Sequence, residues 1–355
     1  MKRKAIPFCC VFLLCGIVIN SAFADRGVFD FERWDNVLND IRTKAVNQNI
    51  SKSVIDDTLK NPVFIPNIVK SDKNQSEFTL TLDQYLNRTV TNDRVAQGRK
   101  KHAQYPTLLN QIENKFNVPH NVILAFWGLE SNYGATKSKY QLTNSFLTLI
   151  YEGRRAEFFS KQLLALMKIA DKNKLHINNI HGSWAGAMGH FQFIPTTLSQ
   201  YGVDGNNDGH IDIINSVGDA MYSAANYLNK LGWNKNERIV RRVIVPGDFD
   251  RTLLNGDVKK TLPEWSMLGV VNADGSPIPQ SEMVAGLVAD TKEIAKMDLY
   301  NSTPVSDFPD DSDTDIAPKP VIYAYLTYPN FYRIKKWNNS SWYAIAIAEL
   351  ADKLK

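Results

Sequence analysis

The sequence predicts a mainly α chain of the α+β type, helical through most of its length, with one small β-containing insertion. Three observations predict it. Apolar residues recur at helical spacing from Phe29 onward. An almost wholly apolar run between Pro119 and Gly134 has the makeup of a helix buried on most sides. Near Asn236 the texture changes to alternating, β-branched residues.

The first 24 residues read as a secretory signal peptide. Met1-Lys2-Arg3-Lys4 is basic, Ile6 to Ile19 is apolar, and Ala22-Phe23-Ala24 supplies small residues, so cleavage is expected after Ala24. The run is short for a stable membrane span. All three cysteines, Cys9, Cys10 and Cys15, fall inside it. Phe12-Leu13-Leu14 lacks the small residue a lipoprotein peptidase needs, so the expectation is a periplasmic protein without a lipid anchor at Cys15. The mature chain then has no cysteine, which excludes disulfides and thiol catalysis. Removing the signal's three basic residues lowers the formal charge from +4 to +1. Nothing left argues for nucleic acid as a partner.

Phe31, Trp34, Val37, Leu38 and Ile41 predict a first helix, and Ser53 is a candidate cap for a second that Asn61-Pro62 stops. Pro62 to Phe78 reads as irregular. Leu80–Val90 and Arg94–Phe116 read as helices, completing an N-terminal helical domain over 25–118. Further helices are expected near Asn144–Tyr151, over Ala156–Asp171 and over Tyr222–Leu231. Arg238 to Val245 alternates as a strand does, ahead of a Pro246-Gly247 turn. Residues 236–320 are therefore expected to be the β-containing insertion, ending in an acidic loop at 306–320. Val321–Ile334 reads as strand-like, and Ser340–Lys355 as a closing helix. No fixed-period repeat is visible.

Within 119–134, Pro119 suits a first helical turn and Gly134 a left-handed terminus. The run carries one acid, Glu130, one turn beyond Phe126 and about two beyond Ile123 on the same face. A carboxyl at the end of an apolar stripe is expected to resist ionisation. An ordinary Glu is only about 0.2 % protonated at neutral pH; lifting its pKa to about 6–7 gains roughly 3 kcal/mol in proton availability. The alternative is a partly buried Glu paired with an Arg or a backbone donor.

The stretch from His181 to Pro195 is rich in glycine, but it has no Gly-Lys-Ser/Thr and no preceding strand, and Ser183 is not in a G-x-S-x-G elbow. Its small residues suit either close approach of a bulky ligand or tight packing of two helices. Asp204 to Asn215 follows the twelve-residue calcium-loop pattern. Asp204, Asn206, Asp208, the carbonyl of His210, and Asp212 would be ligands, with Gly209 at the sharp turn. Asn215 stands where a bidentate Glu normally closes such a site, so a weak structural calcium site is expected, with sodium as competitor. An ion-free turn is the alternative. The histidines show no zinc spacing, and no cofactor for chemistry is expected.

Three groups of residues together resemble one family: Glu130-Ser131-Asn132-Tyr133-Gly134; Tyr151 to Phe159 with Glu152-Gly153-Arg154-Arg155; and Gly182 to Gly189 with Gln192-Phe193. The calcium-type loop, Ala225-Asn226-Tyr227 and the closing Tyr328 to Tyr343 region resemble it too. It is the membrane-bound lytic murein transglycosylase B type, a lysozyme-like group that cleaves peptidoglycan. The resemblance implies a lysozyme-like catalytic core over 119–235, completed by 321–355. By position Glu130 matches the family's catalytic acid. Arg154, Arg155, Ser183, Gln192, Tyr227, Trp337, Asn338 and Tyr343 fall where the family lines its glycan cleft, with Tyr85 and Trp184 as additions. Trp184 and Trp337 replace other aromatic residues and keep a flat face for stacking on sugar.

The expected partner is the glycan strand of peptidoglycan, acted on by a monomer, with cell-wall synthases or scaffolds as further partners. An ordinary glycosidase needs two carboxylates; a lytic transglycosylase replaces water with the substrate's own C6 hydroxyl. The rival readings are a hydrolytic muramidase using an unnoticed Asp and a non-catalytic peptidoglycan-binding protein.

Overall fold

A computed structural model describes residues 29–73, 80–136, 138–295 and 321–355. The expected signal peptide at 1–24 and acidic loop at 306–320 lie outside the described residues. Helix α1 (Phe31–Asn47) starts at Asp30, whose carboxylate accepts the Arg33 N–H at 3.0 Å. Helix α2 (Lys52–Thr58) is capped by Ser51 rather than Ser53. The stretch expected to be irregular contains α3 (Pro66–Lys73), where proline sits in the first turn and loses no helical bond. Helix α4 (Leu82–Thr89) carries a Thr81/Gln84 capping box. The long helix expected over Arg94–Phe116 is instead two, α5 (Asn92–Gln104) and α6 (Pro106–Phe116). Pro106 offers no N–H and pushes Tyr105 out of helical geometry.

Helix α7 (His120–Ser131) is the buried one, with Pro119 just outside it as the cap rather than in its first turn. It ends in left-handed Asn132, and Tyr133 and Gly134 continue with positive φ. Next come α8 (Leu142–Glu152), α9 (Ala156–Asn173), the unforeseen α10 (Pro195–Tyr201) and α11 (Val217–Lys230). Short strands β1 (Tyr140–Gln141) and β2 (His181–Gly182) pair antiparallel and tie the start of α8 to the glycine-rich stretch.

The insertion holds β3 (Val240–Pro246), β4 (Lys260–Thr261), α12 (Leu262–Met267), β5 (Val271–Asn272) and β6 (Val284–Ala289). Its sheet is completed by β7 (Val321–Thr327) in the order β4-β6-β7-β3-β5, all neighbours antiparallel. The sheet thus runs past the boundary expected at 320. Tyr328-Pro329 then stops the strand, and α13 (Pro329–Trp337) replaces the rest of the strand-like reading, before α14 (Ser341–Lys353).

Buried apolar residues from Trp34 in α1 to Leu354 after α14 form one cluster. The N-terminal helices therefore share a core with the 119–235 segment instead of building their own. A second cluster, from Val243 to Tyr328, belongs to the sheet. Around α7 pack α5, α6, α11 and α14, which leaves only His120 at its start and Leu129 and Glu130 in its last turn partly exposed.

Candidate active site

Glu130 occupies that last turn and is partly exposed, above Ile123 and Phe126, which are fully buried. The apolar stripe read from the sequence is present as a floor. Phe126 lies 4.7 Å from the Trp337 ring and 6.1 Å from Tyr343. From α14, Tyr343 donates its hydroxyl to Glu130 Oε1 at 2.5 Å. Burial, then the charge of Glu130, their hydrogen bond and nearby Tyr85 hold the Tyr343 phenol well above the ordinary tyrosine range. Tyr343 therefore keeps its proton and acts as a donor at all working pH.

A cavity of about 370 Å³ opens beside Glu130. Gln192, Tyr227, Trp337 and Asn338 line it with Glu130, as do Thr197 and Lys336, which the sequence reading did not name. Glu130 is the only acid in that lining. Its walls are aromatic: the Trp337 ring sits 5.1 Å from Tyr227 and 5.2 Å from Phe193. Tyr227 is held by a hydrogen bond to the Lys336 carbonyl at 3.2 Å and packs 4.5 Å from Tyr201.

Gln192 reaches the cavity through two tight turns. The Ser183 N–H donates to the Ala187 carbonyl, and Met188 and Phe193 exchange backbone bonds. Gly186 and Gly189 have φ of +94° and +71°; a side chain there would strike Phe146 and the Ile213 carbonyl respectively. The small residues thus serve these turns and the packing beneath them, not a helix pair. Gln192 itself has φ +49°, an uncommon conformation for a non-glycine residue, stabilised by its amide donating to the Gly189 carbonyl at 2.9 Å. Ser183 closes its turn by accepting the Ala187 N–H at 3.0 Å, and Trp184 packs half-buried on the core.

Neither Ser183 nor Trp184 lines the cavity, nor do Arg154 and Arg155. Both arginines instead clamp Asp72, whose side chain is 1 % exposed at the end of α3. Its pairing was not foreseen, because Asp72 fell in a stretch read as irregular. The two guanidiniums remain partly exposed, so the carboxylate fixes them while leaving donors at the surface. The loop they stand on is pinned by Arg33, which donates to the Tyr151 carbonyl at 2.5 Å, and by stacking of Phe29 on Tyr151 at 5.2 Å.

In the 204–215 loop, Asp204 Oδ1 and Asn206 Oδ1 both accept the Asp208 N–H, at 3.2 and 3.1 Å, which gathers the first three expected ligands. Gly209 has φ +90°, as the sharp turn requires. The other half is closed on itself: Asp212 accepts the Ile214 and Asn215 N–H groups, and the Asn215 amide donates to Asp212 at 2.8 Å. Fully buried Asp219, missed in the sequence, accepts the N–H groups of Gly205, Asn206 and Asp212 and stitches the loop's two ends together. Among the described residues no three His, Cys, Asp or Glu side chains are grouped as a metal site. The oxygen-rich donor set thus fits a hard cation in one half only.

Comparison with known proteins agrees with this architecture. The chain is 29 % identical over 271 residues to the membrane-bound lytic murein transglycosylase B of Escherichia coli, a match over 75 % of this chain and 65 % of that protein. It therefore spans just under two thirds of the length of that relative. SltB3 from Pseudomonas aeruginosa, solved in complex with NAG-anhNAM-pentapeptide, superposes with a TM-score of 0.77 at 35 % identity, over 90 % of this chain and 79 % of its own. The Escherichia coli lytic transglycosylase SLT35, solved in complex with calcium, shares the fold with a TM-score of 0.73 at 24 % identity, over 90 % and 92 % of the two chains. The transglycosylase SLT domain matches residues 33–352, and the chain belongs to that family.

Proposed function

We propose that this chain is a peptidoglycan lytic transglycosylase that cleaves the β-1,4 bond between N-acetylmuramic acid and N-acetylglucosamine and leaves a 1,6-anhydro end. One observation carries the reading: a single acid, Glu130, faces a cavity walled by aromatic and amide side chains. Hydrolysis by two carboxylates finds no second acid in that lining.

Glu130 in its acid form gives its proton to the glycosidic oxygen. The C1–O bond breaks, the electron pair leaves with the N-acetylglucosamine, and positive charge develops at C1 of the muramic acid. The substrate's C6 hydroxyl then bonds to C1 and returns its proton to the carboxylate, so no water is consumed. Tyr343 holds one carboxylate oxygen in place. Trp337 and Tyr227 offer flat faces for sugar rings, and Gln192 and Asn338 offer amides for the N-acetyl and hydroxyl groups. Arg154 and Arg155, steadied by Asp72, are suited to carboxylates of the stem peptide. The anhydro sugar bound by SltB3 supports the ring-closing step.

The signal read at 1–24 suits work in the periplasm, and no described helix is long and apolar enough to cross a membrane. We assign the half-gathered 204–210 part of the loop a weak structural calcium ion, held by Asp204, Asn206, Asp208 and the His210 carbonyl, with Asp212 turned instead to Asn215. Mass spectrometry of digested cell wall tests the chemistry. Anhydro ends that disappear with Glu130→Gln are expected; products heavier by one water, or lysis retained by the variant, would overturn it. Wild-type protein that binds the wall without cleaving it would favour the binding reading.

A further inference from the structure

A cavity of about 270 Å³ lies at the start of α7, the end opposite Glu130 and about 15 Å from it along the helix. Pro119, Asn121 and Val122 line it from that helix start, and α14 lines it through Ala348, Ala351 and Asp352. The link between α11 and β3 supplies Trp233, Lys235 and Arg238. The aliphatic members of the lining are buried, whereas Lys235, Arg238, Asp352 and Lys355 are exposed. The cavity therefore has an apolar interior and a charged mouth. Its volume is just below the range of sites for larger small molecules, about 300–1,000 Å³, and suits a compact group.

The polar groups around it lack acceptors. Trp233 is 7 % exposed, and its buried indole N–H has no partner among the described residues. Pro119 offers no side-chain cap to α7. Glu113 accepts the His120 N–H at 3.1 Å, but the Asn121 N–H beside it has no acceptor among the described residues. The aligned peptide dipoles of α7 add partial positive charge at this end. The side chains of Lys235 and Arg238 have no hydrogen bond or ion pair among the described residues. Both acids of the lining are already engaged. Glu237 accepts the Asn330 N–H at 2.7 Å and pairs with Arg333 at 3.1 Å, and Asp352 pairs with Lys355.

We propose that this cavity binds a terminal phosphate group, either the free ion or the phosphomonoester of a small molecule. Such a group carries close to two negative charges and three or more acceptor oxygens at neutral pH. Lys235 and Arg238 balance the charge, and the Asn121 and Trp233 N–H groups bond to the oxygens. A carboxylate, with one charge and two oxygens, leaves part of this donor set unused. The bound group ties the start of α7 to the link after α11, and this role is independent of the glycan chemistry at Glu130.

Calorimetry on the full chain in phosphate-free buffer at fixed ionic strength tests it, with inorganic phosphate, glycerol 3-phosphate and acetate as probes. One saturable phosphate site is expected, about tenfold or more tighter than any for acetate. Lys235→Gln and Arg238→Gln, both at exposed positions, are each expected to weaken it about fivefold, and the double variant to abolish it. Trp233→Phe, which deletes the buried donor, is expected to weaken it about threefold. Glycerol 3-phosphate binding as tightly as inorganic phosphate assigns the site to a phosphomonoester, and inorganic phosphate alone assigns it to the free ion; both support the proposal. No binding of either, acetate binding equally well, or affinity unchanged in the double variant overturns it.

Discussion

Tyr343 and Glu130 form the bond on which the proposed chemistry turns, and its two ends pull in opposite directions. The apolar floor of Ile123 and Phe126 disfavours charge on the carboxyl, whereas the phenol's donated hydrogen favours it. Tyr343→Phe removes only the second influence. The acid form should then persist to higher pH, so the basic limb of the pH–rate profile is expected to move up, while kcat falls about tenfold as the carboxyl loses its anchor. An unmoved limb would show that the bond does not govern protonation. His190 offers a separate test. Its Nδ1 accepts the Trp127 indole N–H at 3.0 Å, while burial and then Lys101 hold its pKa below the usual histidine value, Asp212 pulling the other way. The unfolded chain binds this proton first as pH falls, so stability is lost from about pH 6.5 down to the lower folded pKa. Melting temperature followed across that window should fall, and His190→Gln should flatten the slope. Glu130 was legible in the sequence because a lone acid in an apolar helix stands out. Asp72 and Asp219 were not: the arginines that pair with Asp72 lie 82 and 83 residues away, and Asp219's partners up to 14, along paths only the fold reveals.

Among the elements, the 204–215 loop shows how a motif can be half right. Its first half is gathered around the Asp208 N–H, while Asn215 spends its amide on Asp212. Replacing that closer should complete the site: Asn215→Glu is expected to tighten calcium binding tenfold or more. At a concentration a hundred times the dissociation constant, calcium would add about 2.7 kcal/mol, seen as a rise in melting temperature. Asp204→Ala should abolish the rise, and a shift insensitive to both substitutions would place the ion elsewhere. Helices with strong periodicity and clear stops, such as α9 and α14, were readable almost to the residue. Where the reading failed, proline was the usual reason. Pro106 splits a helix that charge and periodicity carry straight through, whereas Pro66 and Pro329 begin helices where they were taken as breaks or strand. The same residue stops a helix from within and suits its first turn, and local sequence does not say which.

At the scale of the molecule, the sheet cluster and the helical cluster are joined both by apolar packing, through Val240, Val288 and Tyr325 of the sheet, and by polar ties. Asp290 accepts the Leu82 N–H at 2.5 Å, joining the end of β6 to α4. Glu349 on α14 accepts from Arg242 at 2.8 Å and from Tyr325 at 3.3 Å, joining α14 to β3 and β7. Most of the sheet's buried residues form a cluster of their own, so the sheet should open on its own before the helices do. Leu326, fully buried in the sheet cluster and paired with Leu287 across β6, is the place to test this. Leu326→Ala is expected to cost about 2–5 kcal/mol locally. In native-state hydrogen exchange the amides of β3, β6 and β7 should lose protection by that amount, while those of α7 keep theirs. Lysis of cell wall would then be largely retained, because Glu130 and the residues lining its cavity all come from α7, the 187–197 stretch, α11 and the end of α13, none from the sheet. Protection lost equally in α7 would show instead that the insertion and the helical core unfold as one unit, with the junction as strong as either interior.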